Sequence, residues 1–208
     1  MRLVLVHGWA LGPSAWDALA HRLPAPQVRV DLGYFGAPDI SVLQDGDVLV
    51  GHSAGLFWGL RAFSGWAGVV ALNSFARFPL DSEGRGCAPP GELRAMRRAL
   101  ERNPKACADA FRARFGIAPA PGEAQKEPLM EGLDLLRDFD ATPYAGGRPW
   151  LVLGTANDPL APTAETRRLA DIFDGALALH ETGGHGLPWT APEFCTEQIT
   201  AFLRAHDF

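Results

Sequence analysis

The stretch VLVGHSAG, residues 48–55, joins a short apolar run to a segment with the pattern of a helix, residues 54–63. It holds Ser53 in a G-x-S-x-G motif between the predicted strand and the predicted helix. A serine on so tight a turn has strained backbone angles, and the residues two before and two after it are expected to crowd one another and so to be small. The turn presents the hydroxyl at the carboxyl end of the strand, where ligands bind in open α/β sheets. We therefore predict that Ser53 is a nucleophile.

A serine hydroxyl is a weak nucleophile and needs a base, which an acid in turn orients. Asp158 follows the apolar run at residues 150–153, and His185 follows the last apolar run, residues 176–179. Both residues are thus expected at carboxyl ends of strands. The chain order serine, aspartate, histidine is the one found where the serine lies on a strand-to-helix turn. The sequence predicts that Ser53, Asp158 and His185 form a catalytic triad.

Attack by a serine on a carbonyl creates an oxyanion, which two backbone amides are expected to hold. We expect one amide from Ala54, the residue after the nucleophile. The other is expected from the loop after the first apolar run, where Trp9 is the candidate. The indole of Trp9 could also wall the pocket.

Each of these side chains has a simpler alternative. Ser53 could be only a turn residue, Asp158 could cap a helix, and His185 could be a turn histidine in a glycine-rich loop. Among the other histidines, His52 is expected to pack behind the turn and His7 to order its own loop. Four tryptophans are expected to be packing residues: Trp58, Trp66, Trp150 and Trp189.

Apolar runs and helical patterns alternate along most of the chain. The predicted strands are residues 3–6, 28–30, 48–50, 69–72, 150–153 and 176–179, and the predicted helices outside the middle segment are residues 14–23, 54–63, 163–173 and 192–206. This alternation implies an α/β fold with a doubly wound, mostly parallel sheet of about six strands and right-handed crossovers.

The middle segment, residues 76–140, contains no convincing strand. Three helices are predicted in it, at residues 92–101, 104–115 and 129–139. Because it interrupts the strands, we interpret it as a helical insertion over one end of the sheet and call it the lid. With 208 residues in total, one domain covering residues 1–208 is expected.

Composition excludes several classes of protein. The chain is 47% hydrophobic and 21% charged with a net charge of −5, as in soluble globular proteins that do not bind nucleic acid. The three cysteines, Cys87, Cys107 and Cys195, lie far apart and without zinc-site spacing, so free thiols in a reducing compartment are expected. We predict no metal, no cofactor, no signal peptide, no membrane partner and a cytoplasmic location.

These segments together resemble the α/β-hydrolase superfamily over nearly the whole chain. The resemblance is carried by LVLVHGW, by GHSAG and by the segments around Asp158 and His185. Within the superfamily, LVLVHGWALGPSAW, LMEGLDLLRDFD and PEFC are similar to the first loop, the end of the lid and the last helix of pimeloyl-acyl-carrier-protein methyl ester esterases. The resemblance implies a serine carboxylesterase acting on an acyl or pimeloyl methyl ester carried by acyl-carrier protein in biotin synthesis.

The chain also departs from these relatives. The first apolar run is the one before the oxyanion loop, so we expect the first two strands usual in the fold to be absent. The turn carries His52 and the single Gly55, where those esterases have a tryptophan and a glycine pair. These departures leave the triad in place and leave the substrate open.

Charge in the lid suggests a partner. Residues 77–114 hold nine of the 19 basic side chains and only five acidic ones. Arg94, Arg97, Arg98 and Arg102 recur at helical spacings, either as a solvated helix face or as a docking patch for an acidic partner. The resemblance implies that acyl-carrier protein docks there. A thioesterase, another small-molecule hydrolase or lyase, and a non-catalytic ligand- or carrier-binding protein remain alternatives.

Overall fold

A computed structural model describes residues 1–40 and 43–208 of the chain. In the described residues six strands form one sheet, in the order β2-β1-β3-β4-β5-β6, and every pair of neighbours is parallel. The strands are β1 (Leu3–Val6), β2 (Gln27–Val30), β3 (Val48–His52), β4 (Gly68–Leu72), β5 (Trp150–Thr155) and β6 (Ala176–His180). The predicted α/β architecture is confirmed, and the order reverses beside β1, where such sheets bind ligands.

The α-helices flank this sheet and cap its carboxyl edge. They are α1 (Asp17–Ala20), α2 (Ala54–Ala62), α3 (Pro90–Arg102), α4 (Pro104–Ala113), α5 (Lys126–Asp138), α6 (Thr163–Phe173), α7 (Leu187–Thr190) and α8 (Pro192–Ala205). Short 3-10 turns span Pro13–Trp16 and Thr142–Tyr144. Among the described residues, no helix combines the length and apolar character needed to cross a membrane.

The predicted helix at residues 14–23 is wrong in its extent. The structure has the 3-10 turn Pro13–Trp16 followed by a single turn of α-helix, α1. Pro24 follows directly and disfavours helical angles at Leu23, so the helix cannot extend to that residue.

Both faces of the sheet are covered, which explains why its inner strands are apolar without alternation. On one face Val4 and Val6 pack with residues of α2 and α6. On the other face Leu3 and Leu5 pack with Trp16, α1 and α8. This double cover leaves the carboxyl edge of the strands as the place where polar side chains from successive loops can meet.

The lid helices α3, α4 and α5 extend the first of these cores. Leu93, Leu100, Leu129 and Leu133 are buried in one cluster with Phe57 of α2. Asn103 caps α4, because its side-chain oxygen accepts a 3.0 Å hydrogen bond from the amide of Ala106. The lid is therefore packed onto the body of the protein rather than extended from it.

Candidate active site

Ser53 lies on a strained turn between β3 and α2. Its backbone angles are φ 53° and ψ −126°, in a region that residues with a side chain rarely adopt. Two hydrogen bonds hold this conformation: the Ser53 amide donates to the carbonyl of Leu72 at 3.0 Å, and the Ser74 hydroxyl donates to the Ser53 carbonyl at 2.9 Å. The neighbouring strand β4 thus fixes the turn.

The glycines of the turn are required, but for a different reason from the predicted one. A Cβ on Gly51 would lie 2.6 Å from the Cα of Leu56, inside α2. A Cβ on Gly55 would lie 2.1 Å from the carbonyl oxygen of Val6, at the end of β1. The nearest atoms therefore belong to the following helix and the adjacent strand, and the two glycines do not principally crowd each other.

Ser53, His185 and Asp158 form one chain of hydrogen bonds. Nε2 of His185 lies 3.0 Å from the Ser53 hydroxyl oxygen. Nδ1 of His185 lies 2.9 Å and 3.1 Å from the two carboxylate oxygens of Asp158. All three residues are buried, with His185 only 4% exposed. The structure thus brings the three predicted residues together from the ends of β3 and β5 and the loop after β6.

The environment of Asp158 keeps its carboxylate ionised. Burial would raise its pKa, but hydrogen bonds from His185 and from the amides of Ala161 and Leu160 outweigh burial, so the pKa lies below its usual value. Asp158 does not cap a helix, since the residue at the N-terminal cap of α6 is Pro162. A charged acceptor facing Nδ1 holds the proton there and leaves Nε2 to accept the serine proton.

Asn73, which the sequence did not single out, braces this pair. Its Nδ2 donates to Asp158 at 2.8 Å and to the carbonyl of Gly184 at 3.2 Å, and its Oδ1 accepts from the amide of Leu187 at 3.0 Å. The residue is fully buried and has a left-handed φ of 44°, which asparagine tolerates better than most residues. The side-chain amide of Asn73 thus links Asp158 to the backbone just before and just after His185.

His52 is also part of the support of His185. Its Nε2 donates to the carbonyl oxygen of His185 at 2.9 Å, and its ring packs against the ring of Trp189 at 5.4 Å. Burial, reinforced by the neighbouring His185, lowers the pKa of His52 to about 3, so that its ring is neutral. Its Nδ1 is buried and has no partner in the described residues. His52 therefore packs behind the turn, as predicted, and also holds the backbone of His185 by a hydrogen bond.

The two proposed oxyanion donors are the backbone amides of Trp9 and Ala54. Within the described residues, neither the Trp9 amide nor the Ala54 amide donates to another protein group. The loop of Trp9 lies close to the turn, because a Cβ on Gly8 would be 3.1 Å from the Cβ of Ser53. The indole of Trp9 points to the lid, donating to the carbonyl of Leu129 at 2.8 Å. The indole therefore fastens the loop to α5.

Aromatic side chains close the site. The ring of Phe115, in the turn after α4, lies 5.2 Å from the ring of His185. Phe111 packs between Phe115 and Trp9, at 5.0 Å and 4.9 Å. Ser53 is only 5% exposed. The lid therefore separates the triad from water, which strengthens the electrostatic interactions inside it.

The four lid arginines do not share one environment. Arg97 is bonded to Asp134 of α5, whereas Arg94, Arg98 and Arg102 are exposed and form no ion pair with the described residues. Residues 115–140 carry six acidic and two basic side chains, which cancels the excess of positive charge in residues 77–114. The lid as a whole is neutral, so any positive patch is confined to one face of α3.

The described residues contain no cluster of three or more histidine, cysteine, aspartate or glutamate side chains placed to hold a metal ion. His7 orders its own loop, with Nδ1 donating to Gly8 at 3.0 Å and Nε2 accepting from the amide of Leu32 at 3.2 Å.

No protein-family model matches the sequence, and no curated protein sequence matches it. Solved structures match its fold over nearly its full length. A bromoperoxidase from Bacillus anthracis is 17% identical, with 98% of this chain and 91% of that chain covered and a TM-score of 0.81. An esterase from Exiguobacterium antarcticum is 15% identical, with 98% and 92% covered and a TM-score of 0.81. An enol-lactonase from Burkholderia xenovorans LB400 is 16% identical, with 98% and 91% covered and a TM-score of 0.77. These similarities establish the α/β-hydrolase fold.

Proposed function

We propose that this chain is a serine hydrolase that cleaves carboxylic esters through an acyl-enzyme on Ser53. The observation that carries the proposal is the continuous hydrogen bonding from the Ser53 hydroxyl through His185 to Asp158. A hydroxyl, a base and an acid at these distances are the parts that acyl transfer requires. The fold shared with an esterase and an enol-lactonase is consistent with this chemistry.

The proposed reaction has two halves. Nε2 of His185 takes the Ser53 proton as the oxygen attacks the ester carbonyl, and the amides of Trp9 and Ala54 hold the oxyanion. Collapse of this intermediate expels the alcohol, which takes the proton from Nε2. Water gives a proton to Nε2 of His185 as it attacks the acyl-enzyme. Nε2 then returns this proton to the Ser53 oxygen as the acid leaves. Asp158 stabilises the charged imidazole throughout.

Labelling with a fluorophosphonate tests the nucleophile. We expect the wild-type protein to be labelled once and to hydrolyse p-nitrophenyl esters. Ser53→Ala should lose both properties, whereas Ser64→Ala, an exposed serine beyond α2, should retain both. Labelling that survives Ser53→Ala would refute the proposed nucleophile. Absence of labelling in the wild-type protein would favour the non-catalytic alternative.

The substrate proposal includes an acyl-carrier protein, for which the resemblance to pimeloyl-acyl-carrier-protein methyl ester esterases is the ground. In that case the carrier would contact the exposed Arg94, Arg98 and Arg102, and the acyl chain would pass under the lid to Ser53. Arg97 is not one of these proposed contacts, because it forms an ion pair with Asp134. Parallel assays with methyl esters and thioesters of one acyl series distinguish a carboxylesterase from a thioesterase.

A further inference from the structure

Arg112 of α4 is a buried cation that the proposed mechanism does not use. Only 9% of its surface is exposed. Its Nε donates to the carbonyl of Ala118 at 2.6 Å, and its Nη1 donates to the carbonyl of Ala10 at 2.9 Å. The ring of Phe35 lies 5.7 Å from the guanidinium carbon. The side chain is therefore held in one orientation by groups on three sides.

Within the part of the chain described, no carboxylate forms an ion pair with Arg112, although Asp109 is close enough to attract it. The nearest candidate, Asp109, directs its oxygens to Lys105 at 2.6 Å and to the amide of Ala120 at 3.0 Å. Nη2 of Arg112 makes no hydrogen bond to a described residue and is not fully enclosed. Burial of an arginine without an anion is costly, because the guanidinium stays protonated and loses its hydration. The free N–H groups of Nη2 thus leave a place for an anion.

A cavity of about 280 Å³ lies at this place. Arg112 lines it together with apolar side chains, among them Leu11, Ile117 and Trp189. Its volume is near the lower end of the range for ligand pockets, about 300 Å³, so a small molecule suits it. A cavity lined by apolar side chains, Ser14 and one fixed cation is complementary to a short hydrocarbon chain that ends in a carboxylate.

This cavity is lined by residues that contact or directly follow neighbours of the triad. Ala10, which binds Arg112, directly follows Trp9, the proposed oxyanion donor. Trp189 contacts the ring of His52 at 5.4 Å. The lining residue Gly116 directly follows Phe115, whose ring lies 5.2 Å from that of His185. A molecule bound by Arg112 that extends past Trp189 and Gly116 would approach His185 and Ser53.

We infer that Arg112 binds the carboxylate of an acidic ester, so that the substrates are short esters whose acyl chain ends in a second, free carboxylate. The inference rests on the proposed ester hydrolysis and names its substrate class. It is an alternative to the carrier-linked ester, because an acyl chain joined to a carrier has no free carboxylate at its far end. The charged hydrogen bonds fix the far end of the acyl chain, and the apolar wall holds its methylene groups. Arg112 acts as a specificity-determining residue and takes no part in bond breaking.

A matched pair of esters tests this inference. One is p-nitrophenyl hydrogen adipate, and the other is its neutral isostere, in which an isopropyl group replaces the carboxylate. For the wild-type protein we expect the ratio of kcat/KM, acidic over neutral, to exceed one. In Arg112→Met this ratio should fall by roughly 10- to 100-fold, as loss of hydrogen bonds to a charged group implies. Arg112→Lys should retain part of the wild-type preference for the acidic ester.

The ratio separates substrate recognition from damage to the lid. Loss of the bonds to Ala10 and Ala118 alone would lower turnover of both esters together and leave the ratio unchanged, which would overturn the inference. A wild-type preference for the neutral ester would also overturn it. Arg167→Met, on the exposed surface of α6, is the matched control and should keep the wild-type ratio.

A binding measurement keeps this inference separate from the proposed function. Monomethyl adipate is titrated calorimetrically into Ser53→Ala, which cannot form an acyl-enzyme. Binding that weakens about tenfold or more on adding Arg112→Met supports the carboxylate site, even where the wild-type protein hydrolyses neither ester. Equal binding with and without Arg112→Met would reject the site, even where the protein proves to be an esterase.

Discussion

The side-chain nitrogen of Asn73 lies 2.8 Å from the carboxylate of Asp158. The same side chain accepts a hydrogen bond from Leu187, two residues after His185, and donates one to Gly184, the residue before it. The acid and the loop that carries the base are thus held by one residue at the end of β4. Asn73 acts through its neighbours and is a positioning residue.

Replacement of Asn73 should therefore affect turnover more than binding. We expect Asn73→Ala to lower kcat roughly 10- to 100-fold with little change in KM, because the lost hydrogen bond to the Asp158 carboxylate is worth about 1.5–3 kcal/mol. Asn73→Asp keeps the shape but places a second carboxyl beside Asp158, which raises the pKa values of the pair. The acidic limb of its kcat/KM profile should move to higher pH. An unchanged profile and an unchanged kcat would contradict a positioning role.

His52 should make the protein sensitive to acid. Its pKa is about 3 in the folded chain and 6.5 in its unperturbed state, so the unfolded chain binds a proton first as the pH falls. The contribution of His52 to the free energy of unfolding is therefore fully present above pH 6.5 and declines as the pH falls toward about 3. His185, Asp158 and His7 are the titratable groups that act on it.

The measurement is the free energy of unfolding by urea at several pH values between 4 and 7. Substitution His52→Gln keeps a donor for the His185 carbonyl and removes the titrating ring. We expect a shallower decline with acid in this variant, whatever its stability at neutral pH. His21→Gln, at an exposed histidine, is the control and should retain the wild-type slope. Equal slopes for wild type and His52→Gln would show that other groups cause the acid sensitivity.

Gly55 should tolerate no side chain. Its Cβ would lie 2.1 Å from the Val6 carbonyl oxygen, a backbone atom that can move only with β1. Overpacking of this kind costs about 1–3 kcal/mol or more, so Gly55→Ala should lower the free energy of unfolding by at least that amount and abolish activity. Gly36→Ala is the control, because a Cβ there meets nothing within 4 Å. Similar stabilities for the two variants would show that the turn can relax.

Carrier docking makes a separate prediction for α3. Reversal of Arg94, Arg98 and Arg102 to glutamate should lower kcat/KM for a carrier-linked ester relative to that for a free ester, and the difference should shrink at high salt. The same reversal at the exposed Arg61, Arg167 and Arg204 provides a control of equal charge. A relative kcat/KM equal to that of the control would remove acyl-carrier protein from the proposed partners.

The sequence predicted the sheet well because a parallel strand buried on both faces must be apolar throughout, as residues 3–6 and 48–50 are. Ser53, Asp158 and His185 could be proposed because each follows an apolar run of the sequence, although the run before His185 forms a half-exposed edge strand. The structure places the three side chains in contact. Asn73 carries no such signal, since an asparagine after a strand is common in loops. Arg112 was counted only among the lid's basic residues, because burial and the direction of a guanidinium depend on tertiary packing. The helix after Pro13 is shorter than its apolar spacing predicts, because Pro24 disfavours helical angles at Leu23.

The loop after β1 is tied to the lid twice, by the Trp9 indole on the Leu129 carbonyl and by Arg112 on the Ala10 carbonyl. One of these bonds reaches α5 and the other starts from α4. An engineer who replaces the lid with one from another protein of this fold would remove both anchors from the loop. Grafts should therefore succeed only when the loop and the lid are exchanged together, as a single transferable module of two separate stretches of sequence.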